Sequence, residues 1–205
     1  MMSLLPDELY PIASTAVEVA LAVQAGVHFI QLRNKSEDQE YLRSEIRASL
    51  RSCTAFGAVL VVNDHWELAL EEGVPYIHLG QEDMETADIA RIHQAGVKLG
   101  ISTHDHTELT QARAVQPAYI ALGPIWETTL KVMPWRPQGV NRVKLWANLI
   151  EPIPLVAIGG ITAERASACR LAGAAAIAAV SDIFRTDDPV ARIHHWRKCL
   201  QEGGS

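Results

Sequence analysis

The stretch Val59–Asp83, VLVVNDHWELALEEGVPYIHLGQED, decides the fold. It opens on the apolar, β-branched run Val59-Leu60-Val61-Val62, which stops at Asn63-Asp64. Its second half repeats the plan, with Tyr76-Ile77-His78-Leu79 stopping at Gly80 and with Asp83 three residues on. An uninterrupted apolar run ended by polar residues is how a strand buried on both faces reads, and such strands belong to parallel sheets. Between the two runs Trp66–Glu72 is helix-compatible and is ended by Gly73. The unit is strand, helix, strand, with an acid after each strand. Either acid alone suits a helix cap or a turn. Together, at the carboxyl ends of adjacent parallel strands, they suit Mg²⁺, which takes few protein oxygens and leaves its other positions to water and phosphate.

Working outward, the same alternation covers the chain. Strands are expected at Leu9–Ala13, Val27–Arg33, Val97–Thr103, Ala118–Ile125, Pro154–Gly160 and Ala174–Ser181, besides the two above. Helices are expected at Thr15–Gln24, from a Ser36 cap to Phe56 with Glu37 and Asp38 in its first turn, at Glu85–Gln94, His106–Ala114 and Val140–Ile150, after a Thr162 cap to Ala172, and at Pro189–Gln201. That makes eight strands and eight helices. With no dinucleotide glycine fingerprint after the first strand, the closed (β/α)8 TIM barrel is favoured over an open doubly wound sheet, as one compact domain over residues 1–205. Loops are short except for Trp126–Gln138, and long ordered loops tend to be functional.

Composition narrows the function. The 205 residues are 48% apolar, enough for one well-buried core. A net charge of −6, with scattered Lys and Arg, argues against nucleic acid as a partner. The start MMSLLPDELY lacks a signal-peptide pattern and no apolar run reaches membrane-spanning length, so no membrane partner and a cytoplasmic location are expected. Cys53, Cys169 and Cys199 are far apart in helix-like segments and read as reduced structural thiols. Whether the chain forms a homo-oligomer stays open.

In such barrels the active face is built from the carboxyl ends of the strands. The second strand ends Gln31-Leu32-Arg33-Asn34-Lys35, so period-two alternation sends Gln31, Arg33 and Lys35 to one side. Two cations there call for an anion, although pairing with Glu37 and Asp38 would also satisfy them. Ser102 has no base that the sequence places beside it, which favours a hydrogen-bonding role over nucleophilic attack. His104 and His106 read as cap or loop histidines. Thr128, Thr129 and Lys131 in the long loop suit a phosphate, as does the backbone around Gly159-Gly160 and Val180-Ser181. Acids for Mg²⁺, a cationic cluster and a separate amide pocket suggest two phosphorylated substrates joined with loss of diphosphate.

The strings QLRNK (31–35), VVNDHWELALEEGVPYIHLGQEDM (61–84), KLGISTHD (98–105), YIALGPIW followed by Lys131, and VAIGGIT (156–162), in this order and spacing, resemble the thiamine-phosphate synthase family, and most closely its enterobacterial type. The resemblance runs from about Leu9 to the last helix. It implies a TIM barrel that joins 4-amino-2-methyl-5-pyrimidinylmethyl diphosphate to 4-methyl-5-(2-phosphoethyl)thiazole. It further implies that Gln31, Leu32, Arg33, Asn34, Lys35, Asn63, Ser102 and Lys131 hold the pyrimidine diphosphate, with Arg33, Lys35, Ser102 and Lys131 as the catalytic set. Asp64 and Asp83 would bind Mg²⁺, and Thr128, Thr129, Leu130, Gly160, Val180 and Ser181 would hold the thiazole phosphate.

Some positions depart from the family pattern. Where Phe-Pro-Thr-x-Thr-Lys is usual, this chain has Trp126-Glu127-Thr128-Thr129-Leu130-Lys131, and a lost phosphate hydroxyl costs about 1–3 kcal/mol of binding. Ala176 replaces a usual glycine and Asp182 a usual alanine. If Asp182 faces the thiazole-phosphate pocket it opposes the phosphate; as a cap it is harmless. The expectation is weakened affinity for the thiazole phosphate with the diphosphate half intact. Two alternatives share the barrel: a thiazole tautomerase, which needs no complete diphosphate and Mg²⁺ site, and a non-catalytic barrel that binds thiamine phosphate.

Overall fold

The structure of the chain, a computed structural model, describes residues 5–128 and 135–202. In chain order the elements are β1 (Leu9–Ala13), α1 (Ala16–Gln24), β2 (Phe29–Leu32), α2 (Gln39–Ala55), β3 (Val59–Asn63), α3 (Trp66–Glu71), β4 (Tyr76–Leu79), α4 (Gln81–Thr86) and α5 (Ile89–Gln94). They continue with β5 (Lys98–Thr103), α6 (His106–Ala114), β6 (Tyr119–Leu122), α7 (Gly139–Ile150), β7 (Leu155–Ile158), α8 (Ala163–Leu171), β8 (Ala176–Ala179), α9 (Ser181–Phe184) and α10 (Pro189–Glu202). The eight strands pair in sequence order, all parallel, and β8 closes on β1. The expected closed (β/α)8 barrel is the observed one. Among the described residues no helix is long and apolar enough to cross a membrane.

Alternate residues of each strand face two separate cores. Outward-facing Leu9, Ile30, Leu32, Leu60, Val62, Ile77, Leu99, Ile101, Ile120 and Leu155 pack under the helices. Inward-facing Tyr10, Ile12, Phe29, Val61, Tyr76, Tyr119, Ala121, Val156, Ala176 and Ala178 fill the barrel. The interior is unusually aromatic: Tyr10 stacks on Phe29 at 4.3 Å between centroids, and Tyr119 meets both edge-on. Gly100 makes the room, since a Cβ there would lie 2.0 Å from Cζ of Tyr119. At the amino end, buried Asp7 accepts from the N–H groups of Leu9 and His28 and pairs with Arg197 of α10 at 2.5 Å, tying the chain's two ends together.

Several expected details are corrected. Asp38, not Ser36, caps α2: its carboxylate accepts from Glu40 and Tyr41 N–H, while Ser36 Oγ accepts only from Asp38 N–H. The helix expected over Glu85–Gln94 is two, because Ala87 is extended and Asp88 starts α5 afresh by accepting from Arg91 N–H. With α9 as a further short helix, ten helices rather than eight are present among the described residues. β1 and β4 have the expected bounds, whereas other strands are shorter, β6 running over Tyr119–Leu122 and β8 over Ala176–Ala179. The apolar flanks continue past the point where the ladder of hydrogen bonds ends. Cys53 and Cys169 are buried, Cys199 is half-buried, and all three are free thiols, as expected.

Candidate active site

The carboxyl ends of β2, β3, β4 and β5 bring the expected polar residues to one mouth. Asp64 follows β3 with φ +63, a left-handed backbone that few non-glycine residues adopt, and one that Asp and Asn tolerate best. The turn is held by Asp64 N–H donating to the His78 carbonyl (3.0 Å) and Trp66 N–H donating to that of Asp64 (2.7 Å). Asp83 sits in the first turn of α4, folded back so that a Cβ on Gly80 would lie 3.0 Å from its Oδ2. The Asp83 carboxyl is close enough to bear on that of Asp64, both as a charge and as a hydrogen-bond partner for its proton. Burial, then the charge of Asp83 and the bond to it, push Asp64 up to about 6, and the nearby Arg33 guanidinium only partly offsets this.

Of the β2 set, Gln31 is buried and inward-facing, whereas Leu32 belongs to the outer core. Arg33 is half-buried and acts electrostatically on both Asp64 and His78; it forms no ion pair with Glu37 or Asp38 among the described residues. Lys35 is exposed. Asn34 is engaged in the loop itself, donating to the Ser14 carbonyl and accepting from Ser36 N–H, both at 2.9 Å, while its carbonyl meets His65 Nε2 at 3.0 Å. Asn63 is buried at the end of β3, in register with His78.

Ser102 is held from two sides, its hydroxyl 2.7 Å from His78 Nε2 and its carbonyl accepting from Gln81 Nε2 at 2.6 Å. Gln81 Oε1 is buried without a partner among the described residues, an acceptor left beside Ser102. Burial, aided by Arg33, drives His78 down to about 4, so its ring is neutral, and its Nδ1 lies 2.8 Å from Tyr119 OH. His78, Gln81, Tyr10 and Tyr119 escaped the reading of the sequence. For Tyr10, His78 and Tyr119 the signal was there, in polar atoms at inward positions of strands that otherwise read as apolar; Gln81, which opens α4, carried none.

Across the mouth, Gly160 follows β7 with φ +65 and packs under the β6 loop. Its N–H makes no hydrogen bond among the described residues, and its carbonyl accepts from Arg165, whose guanidinium lies 5.2 Å over the Trp126 ring. Val180 and Ser181 lead from β8 into α9. Thr128 ends the described part of the long loop; Thr129, Leu130 and Lys131 lie outside the described residues. A cavity of about 300 Å³ lined by His104, Asp105, Trp135, Arg136 and Arg142 contains none of these residues. His104, expected as a cap or loop residue, bonds Glu108 at 2.8 Å and stacks on Trp135.

Two departures are resolved. Ala176 is buried in the lower barrel interior, away from the mouth. Asp182 turns from the pocket: it accepts from Trp196 Nε1 (2.7 Å), Arg192 Nη2 (2.8 Å) and Ala163 N–H at the start of α8 (3.3 Å). Of the two alternatives for Asp182, facing the pocket or capping, the second holds, the helix capped being α8. Asp182→Ala should cost about 1–3 kcal/mol of stability by leaving Trp196 Nε1 without its acceptor and Arg192 with Glu164 alone, with the KM for the thiazole phosphate unchanged. A raised KM at unchanged thermal stability would contradict this placement.

The family model described as thiamine monophosphate synthase matches residues 7–183. The chain belongs to that family. It is 50% identical over 190 residues to the thiamine-phosphate synthase of Rhizobium etli, covering 93% of each chain. With that of Serratia proteamaculans it shares 42% over 180 residues, 88% of this chain and 85% of the other. The family's fold is also that of a thiamine phosphate pyrophosphorylase structure from Pyrococcus furiosus, with a TM-score of 0.86 over 97% of both chains at 23% identity. A 3-hexulose-6-phosphate synthase superposes at TM-score 0.66, so the barrel alone does not distinguish chemistries.

Proposed function

We infer that the protein condenses 4-amino-2-methyl-5-pyrimidinylmethyl diphosphate with 4-methyl-5-(2-phosphoethyl)thiazole, giving thiamine phosphate and diphosphate. Sequence identity to curated thiamine-phosphate synthases supports the reaction class. The observation that carries the reading is the meeting of Asp64 and Asp83 at the barrel mouth within the field of Arg33. A tautomerase has no use for that combination.

Two carboxyls pressed together, one of them held up to about 6, form a hard-oxygen donor pair that a divalent cation relieves. The residues fit Mg²⁺, with Asp64 and Asp83 to hold it. Bound there, Mg²⁺ supplies charge neutralisation for a leaving diphosphate. Arg33 adds fixed positive charge on the same side, where preorganised electrostatics act most strongly, and Lys35 and Lys131 join it in the family pattern. The bond between the exocyclic methylene carbon and the diphosphate oxygen breaks with its electron pair leaving on oxygen. The electron-rich aminopyrimidine stabilises the resulting cation. The thiazole nitrogen, positioned by its phosphate near Gly160, Val180 and Ser181, contributes its lone pair to the new C–N bond. No proton need be removed from either reacting atom, in keeping with a His78 whose two ring nitrogens are both engaged.

The test is diphosphate release by the purified protein with Mg²⁺ and both substrates. Release that requires both substrates and stops on chelation is expected; release without the thiazole phosphate, or none at all, would refute the assignment.

A further inference from the structure

We propose that Tyr10, Tyr119 and His78 are positioning residues: a hydrogen-bond relay through the barrel interior holds His78 as its Nε2–H tautomer, making Ser102 a donor and Gln31 an acceptor toward the ligand. The links run from Gln31 Nε2 to Tyr10 OH (2.8 Å), Tyr10 OH to Tyr119 OH (2.7 Å), Tyr119 OH to His78 Nδ1 (2.8 Å) and His78 Nε2 to Ser102 Oγ (2.7 Å). They cross five strands and join two residues that both lie at the mouth.

Proton counting leaves two directions, and the Gln31 amide, with Nε2 toward Tyr10 OH, selects one. Each hydroxyl and a neutral imidazole carry one proton apiece, so fixing one link fixes the rest. An amide nitrogen only donates, so Tyr10 oxygen accepts from Gln31 and sends its own proton to Tyr119. Tyr119 then donates to Nδ1, the ring proton lies on Nε2, and Ser102 oxygen accepts it. The Ser102 proton is left for a ligand, and Gln31 Oε1, which makes no hydrogen bond among the described residues, is left as an acceptor. The opposite arrangement requires the Gln31 amide turned over, which reverses every link and places the His78 proton on Nδ1. Mixed arrangements put two protons or two lone pairs into one buried link, at the cost of an unmade hydrogen bond.

The relay is built into the fold. Tyr10 and Tyr119 are 1% and 0% exposed, His78 stacks on Tyr119, and Gly100 exists as glycine where any Cβ would strike the Tyr119 ring. Resting on the reaction inferred above, the acceptor and donor match the exocyclic N–H and a ring nitrogen of an aminopyrimidine, whose orientation they would set before the diphosphate leaves.

The test is the tautomer of His78, read by long-range proton–nitrogen correlation on protein carrying isotope-labelled histidine and assigned by the signal lost in His78→Asn. A proton on Nε2 and none on Nδ1 is expected. Tyr119→Phe should then mix the tautomers and raise the KM for the pyrimidine diphosphate about 10-fold, leaving that for the thiazole phosphate unchanged. A wild-type His78 protonated on Nδ1, or a Tyr119→Phe enzyme with wild-type KM for the pyrimidine substrate, overturns the proposal; should Tyr119→Phe not fold, the wild-type spectrum decides alone. An Nε2–H His78 in a protein that releases no diphosphate upholds the relay and overturns the reaction.

Discussion

Asp64→Asn is expected to lower diphosphate release by about 10²–10³-fold, the cost of removing one preorganised electrostatic partner, while making the metal-free protein more stable rather than less. Asn suits the left-handed backbone at φ +63 at least as well as Asp, so the turn after β3 survives. What changes is the repulsion. The Asp64 carboxyl is raised from 3.8 to about 6, by burial first and by Asp83 second. A folded-state value above the unfolded one means the folded protein binds the extra proton across that window. The associated stability is fully present below about pH 4 and is lost as pH rises through about 6. An amide carries no charge to repel, so the stability advantage of Asp64→Asn should open between those values and stay constant above them. Thermal denaturation in chelator across this range reads the effect, and parallel curves for the two proteins would refute it. Added Mg²⁺ should raise the melting temperature of the wild type and leave that of Asp64→Asn where it is, which ties the variant to the ion independently of turnover.

The same pair marks the limit of what sequence can disclose. Val59–Asn63 and Tyr76–Leu79 are legible as buried parallel strands because nearly every residue is apolar, and glycines such as Gly57 and Gly73 punctuate the helices that join them. From that rhythm the barrel follows, and from the barrel the convergence of Arg33, Asp64 and Asp83. Asp182 was illegible because its meaning depends on Trp196 and Arg192, which α10 brings against it from far along the chain. The break at Ala87-Asp88 hid inside a helical pattern, since a cap residue and a solvated helix residue look alike in one dimension. Tyr10 and Tyr119 pass as core aromatics at alternating positions. Only the rule that a buried tyrosine hydroxyl finds a partner flags them, and the partner was not identifiable until β1, β4 and β6 were placed around one interior.

Gly160→Ala is expected to be the most damaging single methyl on the β6–β7 side of the mouth. At φ +65 a side chain is strained in any surroundings, and here the new Cβ would lie 2.3 Å from the Glu127 carbonyl oxygen and 2.8 Å from the Trp126 carbonyl carbon. Both are backbone atoms, fixed because Trp126 N–H donates to the Gly159 carbonyl and Ile125 N–H to that of Ile158, each at 3.0 Å. Left-handed strain and overpacking together cost roughly 2–5 kcal/mol, or on the order of 5–15 °C in Tm for a chain this long. Gly57→Ala supplies the control, since Gly57 has φ +66 but nothing within 4 Å of its Cβ, and so carries the strain without the collision. The excess loss in Gly160→Ala over Gly57→Ala measures the contact between the β7 turn and the β6 loop. That loop leads to Thr128, so the KM for the thiazole phosphate should rise in Gly160→Ala and not in Gly57→Ala, with the KM for the pyrimidine diphosphate nearly unchanged in both. Equal destabilisation by the two alanines would mean that the β6 loop yields freely, and the glycine would then matter for its backbone angle alone.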